Sequence, residues 1–179
     1  MCAEEEARIP PVEQRLASLI QAVNRINSLQ PLDDLLMSVA EEGARALDAE
    51  RCTVWLADEQ RQELYARVAM GIEKRPLRMS RHEGIAGHTL RTGRLSNVPD
   101  VTADPRFNPA IGQSESFRTR SVLSVPMFSR DGKPFGVFQA LNKRGNQAFT
   151  AGDERLGEAF ASAAAVIIQN ARTFQAVKN

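Results

Sequence analysis

The sequence predicts an α/β (α+β) fold: a central antiparallel β-sheet flanked by helices. Three observations carry the prediction. Residues 52–57 (CTVWLA) and 64–69 (LYARVA) are short apolar or alternating runs joined by a charged turn. Residues 121–128 (SVLSVPMF) and 135–141 (FGVFQAL) repeat the arrangement around Asp131-Gly132, a strong short-range hairpin cue. Apolar stripes at i, i+3, i+4 spacing flank the strand-like region on both sides. A length of 179 residues suffices for one domain with a proper core and some flanking helix, but not for two full domains.

In chain order, Val12, Leu16, Leu19, Val23 and Ile26 follow a 4-3-4-3 spacing, a heptad seam for about two repeats. Residues 1–30 are therefore expected to form a tail and a helix, which either packs on its own domain or pairs in a dimer. Pro31 suits a helix start, and Leu32, Leu35, Leu36, Val39, Ala40, Ala44 and Leu47 supply the stripe of the next helix. After the first hairpin, Met70-Gly71 leaves the strand and residues 77–79 are short enough for a third one. Glu83-Gly84 then leads into GIAGHTLRTG, a short helix closed by Gly93 and followed by a strand-like run at 95–98. Its first turn places Ile85 and Ala86 where backbone N–H groups lack intrahelical partners and attract anions.

Residues 101–117 (VTADPRFNPAIGQSESF) show little periodicity and contain two prolines. Loops this long inside a compact domain are usually lids, binding segments or disordered, so this one is a functional candidate by default. Thr150-Ala151-Gly152-Asp153 resembles a capping box, and Leu156, Phe160, Ala163, Ile167 and Phe174 stripe the helix behind it to about residue 176. That helix is expected to lead, through residues 177–179, into an output domain of a longer protein.

The totals exclude several classes of function. With 42% apolar and 25% charged residues the composition is that of a soluble globular domain. The net charge of +1 comes from 23 basic and 22 acidic residues, which argues against a nucleic-acid surface. No apolar run approaches the ~20 residues of a membrane span, and no signal peptide is visible. Cys2 and Cys52 are placed for no structural disulfide. A cytoplasmic location, with neither nucleic acid nor membrane as partner, is the resulting expectation.

Three strings then carry a resemblance: GIAGHTLRTGRLSNVPD with DPRF, SFRTRSVLSVPM, and the ordered set Asn142, Lys143, Phe149, Asp153, Glu154. Together they resemble the GAF domain, the small-ligand sensor and dimerisation module of cyclic-nucleotide phosphodiesterases and bacterial adenylate cyclases. The resemblance covers about residues 32–176, so 31–176 is taken as the domain. The third string matches the N-K-F-D-E signature of the cyclic-nucleotide-binding subgroup. Independently of the family, Lys143 ends a strand and Asp153 opens a helix, so an ion pair between them could clamp the loop they bracket.

In the resembling phosphodiesterase domains a cyclic nucleotide lies under the long loop, its phosphate on backbone amides at the short helix start. Carried over by position, this implies Ile85 and Ala86 as the phosphate seat and Thr119 as a hydroxyl contact. Thr53 and Gln139 fall on the strand floor beside the base, and Asn108 and Glu115 in the loop facing the ligand. Met70 stands where the family example carries an acid beside the purine, and Gly112 replaces another acid. The resemblance thus implies a regulatory, dimeric sensor of a small ligand, cAMP or cGMP first, needing no cofactor and signalling through its C-terminal helix.

No Ser-His-Asp, paired-carboxylate or metal-ligand constellation is placed for catalysis. His88 reads as a hydrogen-bonded helix residue, His82 as solvated surface and Cys52 as a buried strand cysteine. Arg118 and Arg120 alternate with Thr119, so they point away from the side that Thr119 faces. Two rivals stand beside the nucleotide sensor. One is a sensor of another metabolite; the other is a ligand-free interaction module whose pocket is filled by Met70, Phe107, Phe117 and Met127.

Overall fold

The computed structural model describes residues 31–72, 77–111 and 117–178. The predicted helix and dimer seam within residues 1–30 lie outside the described residues, as do Gly112 and Glu115. The first described helix, α1 (Leu32–Ala46), begins after Pro31, with Asp33 and Asp34 in its first turn and Arg45 in its last. Those charges oppose the helix dipole at both ends. It buries Leu35, Leu36, Val39, Ala40 and Ala44, the spacing its stripe requires.

Asp48, at φ 50°, turns the chain into β1 (Ala49–Asp58), which pairs antiparallel with β2 (Glu63–Ala69). The short β3 (Arg78–Ser80) adds to the outer edge of β2. Helix α2 (Gly84–Thr92) follows and ends at Gly93 in the left-handed region, whose N–H bonds Thr89 O at 2.9 Å. β4 (Ser96–Val98) then leads to a single 3₁₀ turn at Val101–Ala103, capped by Asp100. β5 (Val122–Phe128) and β6 (Pro134–Lys143) form the second hairpin through Asp131-Gly132. The long helix α3 (Ala151–Lys178) completes the chain.

The six strands run in the order β3-β2-β1-β6-β5-β4, every neighbouring pair antiparallel. This is the antiparallel sheet expected, with β1 and β6 at its centre. Both central strands are longer than their apolar runs, because β1 pairs with β6 as far as Ala49 opposite Lys143.

Strand alternation divides the molecule into two faces. On one face α1 and α3 cover a core containing Leu36, Val54, Leu123, Phe138, Phe160 and Ile168. The Phe138 and Phe160 rings stack 6.1 Å apart, and Gly43 lets α1 approach so closely that an added Cβ would lie 2.7 Å from Phe138 Cζ. On the other face α2 packs on Trp55, Leu64, Met79 and Val137 through Ala86 and Leu90. Met127 belongs to the first face, among α1 and α3 residues. It therefore cannot fill a pocket on the second face, which corrects one residue of the ligand-free reading. The cause is parity: Leu123, Val125 and Met127 all face the helical core.

Candidate ligand-binding cleft

A narrow cleft of about 630 Å³, including its open mouth, lies between the second face of the sheet and the long loop. Thr53, Met70, Ile85, Ala86, Asn108, Thr119 and Gln139 all line it. These residues come from six separate stretches of the sequence, and the fold brings them together. Glu115 lies outside the described residues.

Gly84, at φ 71°, turns the chain sharply into α2, and Glu83 precedes it in extended conformation without a side-chain cap. The first helical bond runs from Gly87 N to Glu83 O at 3.2 Å. The backbone N–H groups of Ile85 and Ala86 therefore have no partner among the described residues, although both residues are buried. Buried donors of this kind are normally satisfied. Gly87 permits the placement: an added Cβ would come within 2.6 Å of Arg81 O.

The strand floor is partly committed to itself. Trp55 Nε1 donates to Gln139 Oε1 at 2.9 Å, and Gln139 Nε2 donates to Ser124 Oγ at 3.2 Å. Because an indole only donates, this pairing fixes which end of the amide is oxygen and leaves Gln139 one free N–H. Thr53 and Thr119, 5% and 9% exposed, line the cleft with hydroxyls that have no hydrogen-bond partner among the described residues. Met70 Sδ accepts the Cys52 N–H at 3.3 Å. Asn108 Oδ1 accepts the Ala110 N–H at 2.9 Å, stiffening the loop rather than pointing free into the cleft.

Phe107 and Phe117 add aromatic surface, and Arg51 Cζ stands over the Phe117 ring, 3.9 Å from its centroid. Asp104 anchors the loop: Arg106 donates to its Oδ1 from Nε at 2.9 Å and holds the carboxyl below its usual range, against a smaller effect of burial. Arg51, Trp55 and Phe117 were not singled out from the sequence as ligand contacts. The signal for the first two was available, since Arg51 and Trp55 share the parity of Thr53 on β1.

Behind the cleft, Asn142 is fully buried at φ 59° and makes four side-chain hydrogen bonds. Its Oδ1 accepts Arg120 N at 2.6 Å and Ser121 N at 3.3 Å, and its Nδ2 donates to Arg118 O and Glu50 Oε2, each at 2.8 Å. It thereby fixes the segment that aims Thr119 inward, while Arg120 pairs outward with Glu50. Lys143 Nζ meets the Asp153 carboxylate, and Asn97 Nδ2 bridges Phe149 O and Glu154 Oε1, both at 2.9 Å. Asn142, Lys143, Phe149, Asp153 and Glu154 thus each take part in a hydrogen bond or ion pair in this region.

His88 stands outside the cleft, its Nδ1 3.4 Å from Arg91 Nη2; partial burial, then the charges of Arg106 and Arg91, push its pKa down. Burial pushes the Cys52 thiol pKa far up. Among the described residues, no group of three His, Cys, Asp or Glu side chains is placed to hold a metal, and no helix is long and apolar enough to cross a membrane.

Comparisons with known proteins agree with this architecture. The chain is 26% identical over 180 residues to a probable 3′,5′-cyclic phosphodiesterase of Caenorhabditis elegans, pde-5, covering 93% of this chain and 24% of that protein. It is 28% identical over 177 residues to the dual 3′,5′-cyclic-AMP and -GMP phosphodiesterase 11 of Drosophila melanogaster, covering 98% of this chain and 11% of that one. The chain thus spans a minor part of either relative. Among solved structures, the GAF domain of an Acinetobacter phosphoenolpyruvate-protein phosphotransferase superposes with TM-score 0.75 at 23% identity, covering 91% of this chain and 97% of that one. A free methionine-R-sulfoxide reductase from Neisseria meningitidis, solved with its substrate, superposes with TM-score 0.74 at 21% identity, covering 97% and 99%. The family model for the GAF domain matches residues 31–168, and the chain belongs to that family.

Proposed function

We propose that this GAF domain is a regulatory sensor whose cleft takes a cyclic nucleotide, cAMP or cGMP, and passes occupancy along α3 to an output domain. The carrying observation is the convergence on one cleft of two buried, unpartnered N–H groups, at Ile85 and Ala86, with two unpartnered hydroxyls, at Thr53 and Thr119. Paired amides at a helix start suit a phosphate, and the hydroxyls suit a ribose or base. Relatives named as cyclic phosphodiesterases support the same ligand class.

In this reading the domain is cytoplasmic, catalyses nothing itself, and works as a homodimer through residues 1–30 and the outer face of α3, where Val166 is 46% exposed. Titration calorimetry with each nucleotide to millimolar concentration tests it. Saturable heat with either supports the reading, and none with both rejects it. One observation favours the ligand-free alternative: Phe117 is buried and already stacked on Arg51. A thermal-shift series separates the two, since ligand at 100 times its Kd stabilises by about 2.7 kcal/mol.

A further inference from the structure

Among the described residues, the side chains that line the cleft include no carboxylate, and both of their amide oxygens are occupied. Asn108 Oδ1 takes the Ala110 N–H, and Gln139 Oε1 takes the Trp55 indole N–H. What these side chains have left for a ligand is the Arg51 guanidinium, amide N–H groups and the Thr53 and Thr119 hydroxyls. A cleft so furnished binds acceptors.

The sense of the Gln139 amide is set by one neighbour. Its Nε2 lies 3.2 Å from Ser124 Oγ, but a hydroxyl both donates and accepts and would serve either end of the amide. Trp55 Nε1 only donates, so the end it meets, at 2.9 Å, is the oxygen. Both bonds are buried, where an unpaired polar group is costly. Flipping the amide would set its N–H₂ against the indole N–H and leave both without an acceptor.

Gln139 also lies under the start of α2. Val137, Gln139 and Leu141 alternate on β6 and share the face that α2 covers. Ala86 packs in one apolar cluster with Val137, and Ile85 belongs to the cluster that holds Val122 and packs on Leu141. The Ile85–Ala86 step therefore spans the residue between them, Gln139. The two backbone N–H groups and the side-chain amide belong to one part of the cleft.

We propose that Trp55 is a positioning residue for the ligand's phosphate: by holding Gln139 Oε1 it turns the amide so that Nε2 adds a third donor to the N–H groups of Ile85 and Ala86. The inference rests on the cyclic-nucleotide reading given above. It moves Gln139 from the base, where the family resemblance puts it, to the anion. Because the cyclic phosphate is common to cAMP and cGMP, this donor serves both alike.

The test measures Kd for cGMP and cAMP by titration calorimetry on the full chain as wild type, Gln139→Met, Trp55→Phe and the double variant, with circular dichroism and thermal melting to establish folding. Q139M keeps the length of the side chain without its donor and should weaken both nucleotides equally, by about tenfold. Gln139→Leu takes its place if Q139M does not fold. W55F should weaken both by a smaller factor, and in the Q139M background it should weaken them no further, since Trp55 acts through Gln139. The phosphorus NMR resonance of the nucleotide bound at saturation should shift between wild type and Q139M. If W55F does not fold, the indole carries that arm: the chain has one tryptophan, so its N–H gives a single resonance, which should move upfield in Q139M as its acceptor is lost. A loss confined to one nucleotide would overturn the assignment by placing Gln139 on the base. Unchanged affinity or an unchanged phosphorus resonance in Q139M, additive effects of the two substitutions, or an unmoved indole resonance would overturn it as well. If the wild type binds neither nucleotide, the cyclic-nucleotide reading itself falls and takes the inference with it, a result distinct from binding that is indifferent to Gln139 and Trp55.

Discussion

Lys143 Nζ lies 2.9 Å from Asp153 Oδ2 and 3.1 Å from Oδ1, with only 12% and 11% of the two side chains exposed. The same ammonium donates to Leu47 O at 2.9 Å, just past the end of α1. Asp153 in turn accepts Thr150 N at 2.8 Å and donates its own N–H to Thr150 Oγ1 at 3.1 Å, the reciprocal cap of α3. Removing one partner strands a buried charge, so Lys143→Met or Asp153→Asn should each cost about 3–5 kcal/mol in urea unfolding. The Lys143→Met/Asp153→Asn double variant should cost less than the sum of the two single changes. Single losses under about 1 kcal/mol would mean that the pair behaves as an exposed one.

Gly87 is a second point of sensitivity. An alanine Cβ there meets the Arg81 carbonyl oxygen, backbone that cannot swing aside as a side chain would. Gly87→Ala should therefore push the α2 start away from the β3 turn and destabilise the domain by about 1–3 kcal/mol. Thermal melting measures the loss. An unchanged melting temperature would show that the helix start shifts freely.

Glu50 links the sheet to the end of the loop and titrates. Burial is the largest single effect and opposes its charge, but hydrogen bonds from Arg120 and Asn142 together with the charges of Arg120 and Arg144 outweigh it and hold its pKa below the ordinary glutamate value. A depressed folded pKa stabilises fully above the unfolded value of about 4.3, and the contribution is lost as pH falls through the folded value. Glu50→Gln should flatten the decline in stability between about pH 5 and pH 3, followed by urea unfolding at a series of pH values. Parallel curves for wild type and variant would assign the decline to other carboxylates.

Most of the elements were legible in the sequence because their signals are local. The Asp131-Gly132 hairpin, the Gly84 entry and Gly93 exit of α2, and the Thr150 cap of α3 each depend on a few adjacent residues with a definite conformational preference. Strand order was not legible, because β1 lies beside β6 through pairings of residues about 90 positions apart. The commitment of Gln139 to Trp55 and Ser124 was hidden for the same reason: its partners come from two different strands. Arg51 was readable in principle from alternation along β1 but carried no motif. Met127 is bulky enough to fill a pocket, but its parity on β5 turns it to the helical core.

Asn142 grips the root of the loop at residues 118–121, and its neighbour Lys143 grips the end of α1 and the beginning of α3. Only one peptide unit separates the two grips, and a peptide plane is among the stiffest links a chain possesses. The loop root and both helices of the opposite face thus share a single anchorage.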